Sequence, residues 1–347
     1  MRVIRLSSAR VPGIVLVLAL GCGLGLAQAQ PAALLSQPAS GVSPQPVAAN
    51  TMSAGLAPSD DPQNTMQVFR SRSDEVNVIF TVTDKHGKFV KDLQQRHFTI
   101  LDNNLPPQEI KGFQAETDLP LRVGLLIDAS NSIRDRFQFE QRAATEFLRQ
   151  VVRPQTDRAF VLAFDEVTDI TQDYTNDLDK LAKGVKIIRP GGGTAMWDAV
   201  YLASRDKLMK ERAESATGTV RKAIILVSDG DDNQSRYTRK DAIEMAQRAG
   251  VIVYAISTNL NNILDSGDHN LQAMAEATGG RAFFPSKLND LTGSFKAIQE
   301  ELRSQYSVSY KPEHFDANGQ FRPIQILAEN KKFRVRAKKG YYVPKTQ

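Results

Sequence analysis

The chain has 347 residues, 41% of them hydrophobic, and its 44 basic and 39 acidic side chains leave a formal net charge of +5. This mixed balance is not a nucleic-acid-binding signature, and the length allows one main hydrophobic core and a smaller one. The single cysteine, Cys22, falls within the leader, so the mature chain would hold neither a disulfide nor a thiol nucleophile. Arg2, Arg5 and Arg10 precede an apolar run at 14–27, and Ala27-Gln28-Ala29 is a small-x-small cleavage signal, so residues 1–29 read as a signal peptide. Lipidation at Cys22 is the weaker reading, because Ala19-Leu20-Gly21 is a poor approach to a lipidated cysteine. No later segment approaches the roughly 20 apolar residues that span a bilayer, which points to the periplasm or the exterior. Residues 30–65 are rich in Pro, Ala, Ser and Gln without periodicity, the composition of a disordered tether.

From Glu75 the pattern becomes strict alternation, with Val76, Val78, Phe80 and Val82 opposed to Asn77, Thr81 and Thr83, as in a half-buried strand. A turn at His86-Gly87 leads to a second alternating segment around Phe98 and Ile100, and Asp102-Asn103-Asn104 before Pro106-Pro107 forms another turn. Between residues 120 and 304, apolar strands at 122–128, 158–164, 168–171, 222–227, 251–257 and 282–284 are interleaved with helical periods at 134–152, 176–185, 196–209, 239–248, 271–277 and 290–302. That order predicts an α/β fold: a doubly wound, mainly parallel sheet with helices on both faces and an antiparallel hairpin at its edge. Gly184 and Gly250 are expected to mark helix ends. Farther on, Ile324 and Ile326 alternate, and Phe333, Val335 and Ala337 oppose Lys332, Arg334, Arg336 and Lys338. A two-stranded hairpin is marginal in water, so residues 74–116 and 305–344 are expected to pair into one small all-β sandwich with 120–304 inserted between them.

The inserted segment carries the residues with chemistry. Asp128-Ala129-Ser130-Asn131-Ser132 follows the apolar run 123–127, placing one carboxylate and two hydroxyls at alternate positions of a turn. Hard divalent cations prefer oxygen donors of this type, although the same turn would also serve as a helix N-cap. Gly191-Gly192-Gly193-Thr194 leads into a helix, and the apolar strand ending in Val227-Ser228 delivers Asp229. Ligands of open parallel sheets bind outside the carboxyl ends of the strands near a topological switch point, so Asp128, Ser130, Ser132, Thr194 and Asp229 are expected on one rim. With water they suffice for octahedral Mg²⁺ or Mn²⁺.

These motifs closely resemble the von Willebrand factor A (VWFA) domain family, whose metal-ion-dependent adhesion site has the order Asp-x-Ser-x-Ser, then Thr, then Asp. All five elements are present, in the local settings Gly192-Gly193-Thr194-Ala195 and Val227-Ser228-Asp229-Gly230. The flanks resemble those of the acidobacterial VWFA-related proteins, and insertion into a β-sandwich resembles the arrangement in integrins. The resemblance implies that the five side chains hold the cation directly or through water, leaving one position for an acidic group on a protein partner. It also raises a sliding last helix, 290–302, as an expectation.

Other polar residues have plainer readings. Asp231 and Asp232 suit a solvated acidic loop, Asp165 and Glu166 a hairpin tip, Trp197 a packing position, and Lys332 to Lys338 an edge-protecting face rather than a polyanion site. His86, His97, His269 and His314 lack ligand spacing. The glycine run lacks the Lys-Ser/Thr of a P-loop, and neither a Ser-His-Asp nor a Cys-His set can be assembled, so no enzyme is read here. The expected function is a secreted, metal-dependent protein-binding module. The alternatives are a structural envelope component whose metal only staples loops, and a metal-dependent hydrolase. Asp128 and Asp229 are expected on a solvent-facing rim, where their removal would leave the fold intact.

Overall fold

The computed structural model describes residues 75–116, 119–134, 137–211, 220–260, 263–316 and 318–344; the leader and tether readings, 1–29 and 30–65, lie outside them. The chain opens with three strands, β1 (Val76–Thr83), β2 (Phe98–Asp102) and β3 (Glu109–Glu116). It continues through β4 (Leu121–Asp128), α1 (Phe137–Val151), β5 (Arg158–Phe164), β6 (Thr168–Thr175), α2 (Leu178–Ile187) and α3 (Met196–Leu202). Then come β7 (Arg221–Ser228), α4 (Arg239–Ala249), β8 (Val251–Ser257), α5 (Ser266–Thr278), β9 (Ala282–Phe283) and α6 (Leu288–Leu302). Four strands close the described chain: β10 (Gln305–Lys311), β11 (Phe321–Ala328), β12 (Arg334–Ala337) and β13 (Gly340–Tyr342).

The central sheet has the order β6-β5-β4-β7-β8-β9. All its pairings are parallel except β5 with β6, as expected of a doubly wound sheet with an edge hairpin. Every residue of β4 and β8 is buried, because helices cover both faces; the side chains are apolar or aromatic apart from Arg122, which pairs with Glu211, and the strand-end residues Asp128 and Ser257. The alternation sorts neighbours to opposite layers. Leu125 and Ile127 pack with Phe147 of α1 and Phe295 of α6, whereas Leu126 packs with Met196, Trp197 and residues of α4 and α5. The sequential order of the strands reverses between the adjacent β4 and β7, which is the switch point at which such sheets place their ligands.

The flanks pair with each other. β1 runs antiparallel to β10, with Val78 opposite Val308 and Phe80 opposite Tyr306. One sheet has the order β12-β1-β10-β3 and a second the order β13-β11-β2, and their inward residues form a single cluster that includes Phe80, Phe98, Tyr306, Ile324 and Ile326. This core is built around one buried acid. Asp102 accepts hydrogen bonds from the hydroxyls of Tyr310 (2.8 Å) and Tyr341 (2.9 Å) and from Nε of Arg322 (2.7 Å), tying β2, β10, β11 and β13 together.

Several boundaries differ from the sequence reading for identifiable reasons. The helix expected at 196–209 is α3 followed by a π-helical turn, Ala203–Leu208. The helix expected at 271–277 begins earlier, because Asp265 caps α5 through the backbone N–H of Asp268 in a capping box. Gly250 does end a helix, at a left-handed φ of 69°. Gly184 does not: it lies inside α2, where an added Cβ would stand 2.5 Å from Cβ of Gln172, so its role is to let α2 approach β6.

Asp102→Ala should destabilise the protein by about 3–5 kcal/mol, because it leaves the guanidinium of Arg322 buried without its partner. Denaturant unfolding measures this; a loss below about 1 kcal/mol would show that the acid is not the tie described here.

Candidate metal centre

Asp128 is the last residue of β4 and has no exposed surface. Its Oδ1 accepts the backbone N–H of Ser130 at 2.8 Å, and its Oδ2 accepts the hydroxyl of Ser228, the last residue of β7, at 2.6 Å. The turn then places Ser130 Oγ 3.0 Å from Ser132 Oγ, and the Ser132 hydroxyl donates to Oδ2 of Asp229 at 2.8 Å. The two strand-end carboxylates are thus joined by hydroxyls across the switch point. The sequence reading had both acids facing solvent. Instead Asp128 is fully buried and Asp229 only 8% exposed, because the neighbouring loops close over them.

The loop that carries Thr194 is stitched to both others. The backbone N–H of Asn131 and its side-chain amide donate to the carbonyl of Gly192 at 3.4 and 3.3 Å, and Gly191 N–H donates to the carbonyl of Ala129 at 2.6 Å. On the other side, Thr194 N–H donates to Oδ1 of Asn233 at 2.9 Å, while its carbonyl accepts the N–H groups of Asn233 and Gln234, each at 3.0 Å. Close backbone approach sets the third loop. Gly230 has a φ of 84°, and a Cβ there would stand 2.1 Å from the carbonyl oxygen of Gly267 in the first turn of α5. Any side chain would push Asp229 off the rim.

The electrostatics of this cluster are unbalanced. Burial, with a smaller push from the charge of Asp229, raises the Asp128 carboxyl to about 6 despite the hydrogen bonds from Ser228 and Ser130. Asp231, beside it, is also held above the usual carboxylate value, by desolvation and by Asp229, Asp265 and Asp268. Among the described residues, no basic side chain is one of the groups acting on either acid. Clustered acids, hydroxyl donors and a missing counter-charge are what a hard divalent cation would complement. Among the described residues no three His, Cys, Asp or Glu form a group that could hold a metal ion by themselves.

Sequence reasoning passed over three supporting residues. Ser228 orients Asp128 and accepts the N–H of Gly230 at 3.1 Å; its signal was a hydroxyl at the end of an otherwise apolar strand. Asn233 positions Thr194, which only the fold could show. Asp232, read as part of a solvated acidic loop, instead holds the start of α3: its carboxylate accepts the N–H of Trp197 at 3.0 Å and the hydroxyl of Ser235 at 2.6 Å. Trp197 itself is buried in the core.

Among solved structures, the chain is similar to proximal thread matrix protein 1 from the mussel byssus with a zinc-occupied MIDAS motif, at 17% identity, covering 58% of this chain and 50% of that one, with a TM-score of 0.46. It is also similar to the conserved hypothetical protein BatB from Bacteroides thetaiotaomicron, at 18% identity over 52% of this chain and 97% of that one, TM-score 0.41. A third is the vWF domain of the type V pili tip protein Mfa5 from Porphyromonas gingivalis, at 14% identity over 52% and 94% of the two chains, TM-score 0.42. The chain spans about half the length of the mussel protein. No curated protein matches it. The family model of the von Willebrand factor type A domain matches residues 123–298, just over half of the chain, running from within β4 to within α6 and including the five oxygen-bearing side chains. The chain belongs to the von Willebrand factor type A domain family.

Proposed function

We propose that this protein is an exported, metal-ion-dependent protein-binding module in which Asp128, Ser130, Ser132, Thr194 and Asp229 hold Mg²⁺ or Mn²⁺ and a partner contributes an acidic side chain. One observation carries the reading: a buried carboxylate with no basic neighbour, linked through two serine hydroxyls to a second carboxylate across the switch point. A divalent cation held by so few charged ligands stays electrophilic and supplies a coordination position for a carboxylate from outside. The protein's own contribution is orientation. Ser228 and the N–H of Ser130 fix Asp128, Ser132 fixes Asp229, and Asn233 fixes the backbone of Thr194.

Export rests on the signal peptide at 1–29 and the tether at 30–65; among the described residues no helix is long and apolar enough to cross a membrane. The protein is proposed to be a binder rather than an enzyme, because the two carboxylates at the rim are engaged by serine hydroxyls and neither is free as a general base. A metal that merely staples loops has less support, since the three loops already join by direct hydrogen bonds. The basic face of β12 is also partly engaged internally, with Arg336 paired to the buried Glu301.

Calorimetric titration of Mg²⁺ and Mn²⁺ into the chelator-treated protein should show saturable binding that Asp128→Ala loses; equal binding by the variant would sink the proposal. Because Asp128 must ionise to bind, affinity should fall about tenfold per pH unit below about 6. Chelation should release a captured partner.

Stability should show the opposite sign. The folded Asp128 carboxyl stands at about 6 against 3.8 for the free group, so the metal-free fold loses up to about 3 kcal/mol as pH rises from about 4 to about 6. Asp128→Asn removes the buried charge. Metal-free, it should therefore become more stable relative to the native protein over that pH window, an advantage that saturating Mg²⁺ erases. Thermal unfolding at pH 4 and pH 7, with and without Mg²⁺, reads the difference; parallel pH curves for the two proteins would contradict it.

A further inference from the structure

A groove of about 950 Å³ opens between the N-terminal half of α1 and the C-terminal half of α2, beginning at the loops that carry the metal centre. Arg134 stands at its upper end, where its guanidinium donates to Oδ1 of Asn131 at 3.0 Å, between Ser130 and Ser132 in the chain. Pro190, which leads directly into the Gly191–Thr194 loop, forms the opposite lip. Among the described residues, Arg134, Arg142, Lys186 and Arg189 line the groove against one acid, Glu146, whose carboxylate already accepts Nε2 of Gln150 at 2.7 Å.

Among the described residues none of these four cations makes an ion pair, although Arg149 and Asp179, farther along the same two helices, do so at 3.3 Å. Arg189 has a local role, donating to the carbonyls of Lys186 (2.7 Å) and Ile188 (2.9 Å) at the end of α2. Arg142 and Lys186 are exposed, and the guanidinium of Arg142 lies only loosely over Phe139, 5.9 Å from its ring centroid. The groove itself exposes more apolar than polar surface, with Phe137 and Ile188 beneath the charges. An unpaired basic rim over an apolar bed, continuous with a centre that takes a carboxylate, has one complementary occupant: an extended peptide that alternates acidic and apolar residues.

We propose that the partner's acidic segment, anchored by one carboxylate at the metal centre, runs on into the α1–α2 groove, where Arg142 and Lys186 read its further acids. This rests on the metal-binding reading above and assigns specificity beyond the single anchoring group.

The test compares the full mature chain with Arg142→Glu/Lys186→Glu, two exposed changes outside the metal centre. The probe is a fluorescein-labelled peptide alternating glutamate and leucine, measured by anisotropy at saturating Mg²⁺ and in chelator, with Mg²⁺ titrated separately into both proteins. The expected result is unchanged Mg²⁺ binding and a peptide Kd raised about tenfold or more by the double reversal, with a steeper salt dependence in the native protein. Equal peptide affinity in both proteins, or no binding to the native one, overturns the groove assignment while leaving Mg²⁺ uptake intact. A flat Mg²⁺ titration of the native protein instead removes the anchor itself. Preferential binding of an anionic polysaccharide over the peptide would likewise overturn the proposal.

Discussion

A carboxylate with no exposed surface and no cationic side chain to balance it must be stabilised by local dipoles or by a charge from outside. Asp128 is in that position, and the top of the sheet is arranged around it. The dipoles come from Ser130 and Ser228, but they are insufficient: the carboxyl still titrates well above its ordinary range. The residual cost is a tension built into the fold, of the kind proteins retain where a binding site demands it. A core optimised for stability alone would place an apolar side chain at the end of β4, as at Leu125, Leu126 and Ile127 just before it.

The cost is sustained by a rigid frame. β4, β7 and β8 are covered on both faces and paired in parallel over most of their lengths, which fixes where their carboxyl ends emerge. The loops between strand and helix have little freedom either. The contact between Gly230 and Gly267 and the bonds joining Gly192 to Asn131 and Thr194 to Asn233 leave few ways for the rim to rearrange. Sites carried on rigid elements hold their geometry better than sites on free loops.

Much of this was legible from the chain. Strict alternation in β1 and β11 and the doubly apolar strands β4 and β8 announced their environments, because burial on one face or two leaves different periods. Asp128, Ser130, Ser132 and Asp229 stood out because they follow the ends of apolar strands, and Thr194 because a glycine run delivers it to the start of a helix. What escaped was tertiary. Nothing local distinguishes a glycine that ends a helix from one that admits a neighbour, so Gly184 was misread. The burial of Asp128 and Asp229 depends on loops far apart in sequence, and the start of α5 depends on a cap in a stretch with no apolar period. Asp102 read as a turn residue, yet it organises the antiparallel core through partners more than two hundred positions away.

The pairing of β1 with β10 also has a mechanical meaning. Both ends of the described chain leave from the antiparallel sheets, and β1 and β10 are hydrogen-bonded directly along six residue pairs. The span from β4 to α6 is also fastened to the closing strands, through Arg336 to Glu301, Lys339 N–H to the carbonyl of Ala277, and the Arg248 guanidinium over the Tyr342 ring. A pull applied through those ends is therefore shared between the antiparallel ladder and the base of the helices α4, α5 and α6. The loops at the carboxyl ends of β4 and β7 lie at the opposite end of that sheet from where β7 begins beside Pro120, and would feel such a load only after it has passed along the strands.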